Sequence, residues 1–221
     1  MNFQILGANV SPFVRKVRAM LAEKNIPYDY EQVSPFSPPE GWRNISPLGK
    51  IPVLKDGDRL VNDSSVICQY IERKNPEPQI FPRDLDGYTD AIWLEEFIDG
   101  GFTPVAGGKV FFPLVVEPMM SGDPAGSEAE AAAAQVIETE FPTFWSYLES
   151  QLGDKDFFVG DQISIADLAI ASIHVNLRHA GVLVPVGDYP NLSAFIDRMH
   201  SRESFRRLIE EEAPTWGARA G

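Results

Sequence analysis

Three short stretches place hydroxyl, acidic and backbone-presenting residues where they could do chemistry. The first is Ser11-Pro12-Phe13-Val14-Arg15-Lys16-Val17-Arg18. Serine is a favoured N-cap and proline is favoured at the first helical position, so Ser11 and Pro12 mark a helix start by themselves. A hydroxyl beside unpaired amides at such a start also suits an anion, a thiolate included, so cap and anion site both remain open for Ser11. The second stretch is Ser46-Pro47-Leu48-Gly49-Lys50-Ile51-Pro52-Val53-Leu54. Pro52 cannot donate to a sheet ladder, which puts it at a strand start or edge, and a cis bond before it would turn the Ile51 backbone outward. The third, Asn62-Asp63-Ser64-Ser65, is an acidic and hydroxyl cluster where a helix should begin, open to capping or to ligand contact.

Other chemistries lack their residues. Cys68 is the single cysteine, which excludes an internal disulfide, a CxxC pair and a thiolate zinc site, and fits a reducing compartment. His174 and His179 are five apart and diverge on a helix; with His200 they are expected as core or surface residues, and no metal site is expected. No GxSxG, GxGxxG or HExxH occurs, and Gly107-Gly108-Lys109 fails as a P-loop because Thr103 and Val110 stand where Gly and Ser or Thr are needed. The formal charge of −13 argues against nucleic acid. Residues 1–80 carry ten Lys and Arg against nine Asp and Glu, a net of +1, and the remainder nine against 23, a net of −14. The first part is the better host for a small anion. No apolar run approaches the roughly 20 residues that span a bilayer, and the first basic residues follow the opening apolar run, so a cytoplasmic protein without membrane attachment is expected.

The elements that must position these residues divide the chain in two. Up to residue 80 short β-like runs alternate with helical ones, the grammar of an α/β domain. Strands are predicted at Phe3 to Leu6, Tyr28 to Val33, Pro52 to Leu54 and Arg59 to Val61. The last two form a hairpin around Lys55-Asp56-Gly57-Asp58, and helices are predicted at Pro12 to Lys24 and Ser65 to Lys74. The proline-rich segment 75–84 reads as a linker. From residue 86 to 221 the period is helical. Ser127-Glu128-Ala129-Glu130 reads as one capping box and Ser164-Ile165-Ala166-Asp167 as a second. The second opens a core helix through Leu177, and 121–126 reads as a loop.

In this order and spacing the stretches resemble the glutathione transferase family over nearly the whole chain. SPFVRKVR is similar to the first-helix motif of serine-type members, KIPVL to the cis-proline loop, NDSSVICQYIE to the Glu/Asp-Ser motif, and GDQISIADLAIA to the capping box and staple of the second domain. The resemblance implies a thioredoxin-like domain (1–80) that binds glutathione and an all-helical domain (86–221) that shapes a hydrophobic pocket. It implies that Ser11 hydrogen-bonds the glutathione sulfur and that the Ile51 backbone, before Pro52, meets the cysteinyl unit. Asp63 would take the γ-glutamyl ammonium, Ser64 its carboxylate and Lys50 the glycine carboxylate, while Phe13 would line the junction of the two substrate sites. The family more often has Glu at the position of Asp63. Glutathione is implied as co-substrate with no permanent cofactor, and a symmetric homodimer as the assembly. Members with Cys in place of Ser11 run mixed-disulfide chemistry, which Cys68 cannot supply, so thiolate transfer to an electrophilic carbon is expected. Phe102, Phe111, Phe112, Met119, Met120 and Trp216 are candidates for the apolar pocket, with ordinary core as the alternative. Competing functions are a glutathione-dependent isomerase, dehalogenase or ether-cleaving enzyme, and a non-catalytic interaction protein of the same fold.

Overall fold

The computed structural model describes residues 3–217; the expected domain limits at residues 1 and 221 lie outside them. Residues 3–74 form a four-stranded sheet flanked by helices. Strands β1 (Phe3–Gly7), β2 (Tyr28–Gln32), β3 (Val53–Asp56) and β4 (Arg59–Asn62) lie in the order β2-β1-β3-β4, with β1 parallel to β2 and the other pairs antiparallel. A parallel neighbour needs a crossover, which helix α1 (Pro12–Glu23) supplies. Gly7 permits the tight β1 to α1 approach, since a Cβ there would lie 2.5 Å from Val14 Cγ2. The predicted hairpin is present but tighter than expected. Asp56 pairs with Arg59, so Lys55 and Asp56 belong to β3 and Gly57-Asp58 alone makes the turn. A short helix α2 (Trp42–Ile45), absent from the sequence reading, precedes the Ser46 to Ile51 loop, and α3 (Ser64–Lys74) starts one residue earlier than predicted.

The segment 75–84 is irregular but tied down. The Lys24 ammonium donates to the Asn75 and Pro78 carbonyls, and Glu72 accepts from the Ile80 and Phe81 amides. Helix α4 (Leu85–Glu96) runs into π-helical turns over Phe97–Phe102 and Ala106–Val116, separated by α5 (Thr103–Val105). Pro104 and Pro113 lack the amide that an α-helical ladder requires, and Gly100, Gly101, Gly107 and Gly108 loosen the same stretch. Helices α6 (Glu117–Ser121), α7 (Ser127–Thr139), α8 (Phe141–Leu152), α9 (Ile165–His179), α10 (Pro190–Ser201) and α11 (Glu203–Trp216) complete the second part.

The capping box expected at Ser127 does not form. Ser127 is already helical and Gly126 is the cap, its carbonyl accepting from Glu130 N at 3.0 Å. At α9 the box is built: fully buried Asp167 accepts from Ser164 N at 2.7 Å and Ser164 Oγ at 2.8 Å through one oxygen. Its other oxygen accepts from Phe158 N at 2.9 Å. Helix α9 is buried on nearly every side, forms the centre of the helical part, and packs on α1.

Candidate active site

Ser11 is the N-cap of α1. Its Oγ accepts from Val14 N at 3.4 Å, a long bond, and a hydroxyl that accepts keeps its own proton to donate. Capping and donation to a ligand are therefore compatible at Ser11.

The Ile51-Pro52 bond is cis, as expected. The β1–β3 pairing begins at Leu6 opposite Val53, so the Ile51 backbone lies two residues beyond the ladder. The loop before it is held at each turn. Ser46 Oγ donates to the Lys50 carbonyl at 2.7 Å, Trp42 Nε1 to Gly49 at 3.3 Å, and Asn62 Nδ2 to Ile45 at 3.1 Å. Gly49 has φ of +72°, a conformation that favours glycine.

Asp63 caps α3 from a strained backbone, φ 74° and ψ 134°. One carboxylate oxygen accepts from Ser65 N at 3.0 Å and Val66 N at 3.2 Å, so the cap leaves the second oxygen unused. A non-glycine residue with positive φ persists only where its surroundings enforce it, and such residues cluster at ligand sites.

Phe13, Lys50, Ile51, Pro52, Asp63 and Ser64 line one cleft of about 530 Å³. Ser11 itself lies outside the cleft's lining, two residues from Phe13. The opposite wall, Glu96, Asp99 and Gly100, comes from the end of α4 and the first π-helical turn, and sequence reasoning missed it. Nothing in their local pattern signals a site, because the long-range packing of α1 brings them there. Fully buried Lys16 donates to Glu95 at 2.6 Å, to Asp99 at 2.5 Å and to Ser65 Oγ at 3.4 Å, which joins α3 to that wall. Burial works against the Lys16 charge, yet the Asp99 and Glu95 carboxylates raise its pKa above the ordinary lysine value. A larger groove of about 980 Å³ lies between the end of α1 and α11. It contains none of the predicted site residues, so convergence of polar groups, not volume, marks the candidate.

The apolar candidates are not brought together at the cleft. Phe102 is enclosed by Phe141, Phe144 and His174, and Phe111 is also core. Buried Trp216 donates its indole N–H to Asn9 Oδ1 at 3.2 Å. Phe112, Met119 and Met120 stand partly exposed, with the Phe112 ring 5.7 Å from that of Phe36. The three histidines are buried and engaged by protein groups: His174 by Trp145 and the Ile170 carbonyl, His179 by Glu212, and His200 by the Ala171 carbonyl. Among the described residues no cluster of His, Cys, Asp and Glu is arranged to hold a metal ion, and no helix is long and apolar enough to cross a membrane.

Family models for the glutathione S-transferase N-terminal domain and C-terminal domain match residues 6–79 and 116–212. The chain is 32% identical over 211 residues to the chloroplastic glutathione S-transferase DHAR3 of Arabidopsis thaliana, covering 90% of this chain and 69% of that one. It is 30% identical over 200 residues to the probable cytosolic glutathione S-transferase DHAR1 of Oryza sativa subsp. japonica, covering 88% and 81%. A glutathione S-transferase of Methylobacterium radiotolerans, solved in complex with glutathione sulfonate, superposes with a TM-score of 0.74 at 27% identity over 95% of both chains. Human glutathione S-transferase T1-1 shares the fold with a TM-score of 0.81 at 22% identity, covering 99% of this chain and 91% of that one. With a sheet that presents a cis-proline loop and an acidic helix cap to one cleft, backed by a helical second half, the chain belongs to the glutathione S-transferase family.

Proposed function

We propose that the chain binds glutathione in the cleft and transfers its thiolate to a hydrophobic electrophile. The observation that carries this reading is the convergence of Phe13, Ile51 and the Asp63-Ser64 pair, from three separate segments, on one cleft beside the α1 N-terminus. The Methylobacterium relative, solved with glutathione sulfonate, supports the ligand class. The Ile51 backbone receives the cysteinyl unit, the free oxygen of Asp63 the γ-glutamyl ammonium, Ser64 its carboxylate, and Lys50 the glycine carboxylate. Phe13 lines the junction with the second site, to which Phe112 and Met119 contribute the exposed apolar surface.

Ser11 donates a hydrogen bond to the sulfur and is not itself a nucleophile. A free thiol with a pKa near 8.5 is only a few per cent thiolate at neutral pH. A hydrogen bond to a charged group contributes about 1.5 to 3 kcal/mol, which lowers a thiol pKa by roughly one to two units. The helix N-terminus adds a smaller effect of the same sign. Titrating the thiolate absorbance of bound glutathione in wild type and Ser11→Ala tests this; an unshifted titration with unchanged turnover ends the assignment.

Residues 1–80 serve as the glutathione domain and 86–221 as the second-substrate domain in this scheme. A homodimer goes with it. Leu60, Val66 and Trp93, on β4, α3 and α4, are large apolar side chains left exposed, which supports a partner. Sedimentation that finds only a 24.5 kDa species at micromolar concentration rules the dimer out.

A further inference from the structure

The peptide unit in front of Ser11 is held from both sides. Its C=O, that of Val10, accepts from Arg15 Nη2 at 3.2 Å and Asn176 Nδ2 at 2.9 Å. Its N–H, that of Ser11, donates to the Ala8 carbonyl at 3.0 Å. A peptide unit is planar, so these bonds fix the plane that carries the Ser11 Cα and leave χ1 as the main freedom of Oγ. The two donors are themselves anchored. Arg15 donates to Asn176 Oδ1 at 2.8 Å, to the Ser172 carbonyl at 2.6 Å, and to Glu212 through Nε at 2.8 Å and Nη2 at 2.5 Å. Arg15, Asn176 and Glu212 are all buried. Burial pushes the Glu212 carboxyl up, but Arg15 and His179 hold it below the usual range, so it stays ionised opposite the guanidinium. Helix α11 also bonds this loop directly, since Trp216 donates to Asn9 Oδ1, which also accepts from Val10 N at 2.9 Å.

Other ion pairs join α1 to the helical part without this feature. Arg18 pairs with Glu211, and Glu23 with Arg202, and neither pair bonds to residues 8–11. Among the described residues the Arg15 network reaches the Val10 carbonyl and these pairs do not.

We propose that Arg15, Asn176 and Glu212 are positioning residues for Ser11: they aim its hydroxyl at the glutathione sulfur, so that the seating of α11 on α1 governs how well Ser11 donates. The inference rests on the reading of Ser11 as donor. Asn176→Asp keeps the acceptor for Arg15 and removes one donor from the Val10 carbonyl. Trp216→Phe keeps a ring, removes the donor to Asn9, and leaves every charge in place should Asn176→Asp fail to fold. Glu23→Gln loosens the far end of α1 as a control. The readouts are the titration of bound glutathione from about pH 6 to 9, with kcat and KM over the same range. Asn176→Asp and Trp216→Phe are expected to raise the bound thiol's pKa by roughly half a unit to one unit and to lower kcat severalfold near neutral pH. The KM for glutathione stays within about twofold, because Ile51, Asp63 and Ser64 still hold the tripeptide. Glu23→Gln lowers Tm and leaves the titration in place. Wild-type titrations in both loop variants, with Ser11→Ala shifted, overturn the positioning role alone. A shift of equal size in Glu23→Gln also overturns it, as general loosening. An unmoved Ser11→Ala titration removes the donor reading and this inference together.

Discussion

Ser11 carries two roles whose sizes the geometry separates. At 3.4 Å the bond from Val14 N is a weak cap, so Ser11→Ala should lower stability by less than about 1 kcal/mol, the low end for lost N-caps. A denaturation midpoint that falls by more would mean that Ser11 is chiefly structural. Asp167 is the opposite case. It satisfies two backbone amides while fully buried, and Asp167→Ala leaves both without a partner. The expected loss is roughly 2 to 5 kcal/mol, above that of an exposed cap, and chemical denaturation measures it. Cys68 is buried, and burial with the nearby Glu95 and Asp99 charges pushes its thiol far above the ordinary value despite Lys16. A thiol-disulfide reagent should leave it unmodified in the folded protein and react once denaturant is added. Rapid labelling of the native state would contradict its enclosure.

Among the elements, β1 and α1 do most to place the site, and their closeness depends on Gly7. Val14 is buried and β-branched, so its Cγ2, 2.5 Å from a Cβ at position 7, has little room to move. Gly7→Ala should cost about 1 to 3 kcal/mol as overpacking and show as a lowered Tm. A stability equal to wild type would mean that α1 slides freely on the sheet. Helix α1 also explains the charge asymmetry of the sequence. The acidic excess after residue 80 is used in part by Glu95, Asp99, Glu211 and Glu212, which pair with Lys16, Arg18 and Arg15 across the two parts.

For the whole molecule, buried histidines set the acid limit. Burial holds His174 near a pKa of about 4 and His200 near about 3, against an ordinary 6.5. His174 is neutral by geometry as well, since Nδ1 meets a carbonyl while Nε2 accepts from Trp145. A depressed histidine stabilises the fold above pH 6.5, and that contribution is lost as pH falls towards the folded value. Burial raises Asp167 to about 6, so its effect is the reverse: its contribution is largest below the unfolded value and is lost as pH rises through 6. From pH 6.5 to 5 the two histidines lose roughly 3 kcal/mol together and Asp167 returns about 1, a net loss near 2 kcal/mol. Denaturation curves at the two pH values measure it, and an unchanged midpoint would show that the histidines are not kept neutral.

Much of the fold was legible in the residues themselves, because turns, caps and periodicity act over a few positions. Ser11-Pro12 starts a helix, Lys55-Asp56-Gly57-Asp58 marks a hairpin, and Ile163 to Leu168 opens a core helix. The order of these local signals was enough to indicate the family. Tertiary structure decided what depends on distant partners. Local rules could not choose between Ser127 and Gly126 as a cap, or foresee the π-helical turns at Phe97–Phe102 and Ala106–Val116. They could not show that Arg15 and Lys16 are fully buried. A buried cation is stable only beside its counter-charge, and Glu212, Glu95 and Asp99 lie far along the chain. The second wall of the cleft and the clamp on Val10 follow from that packing alone.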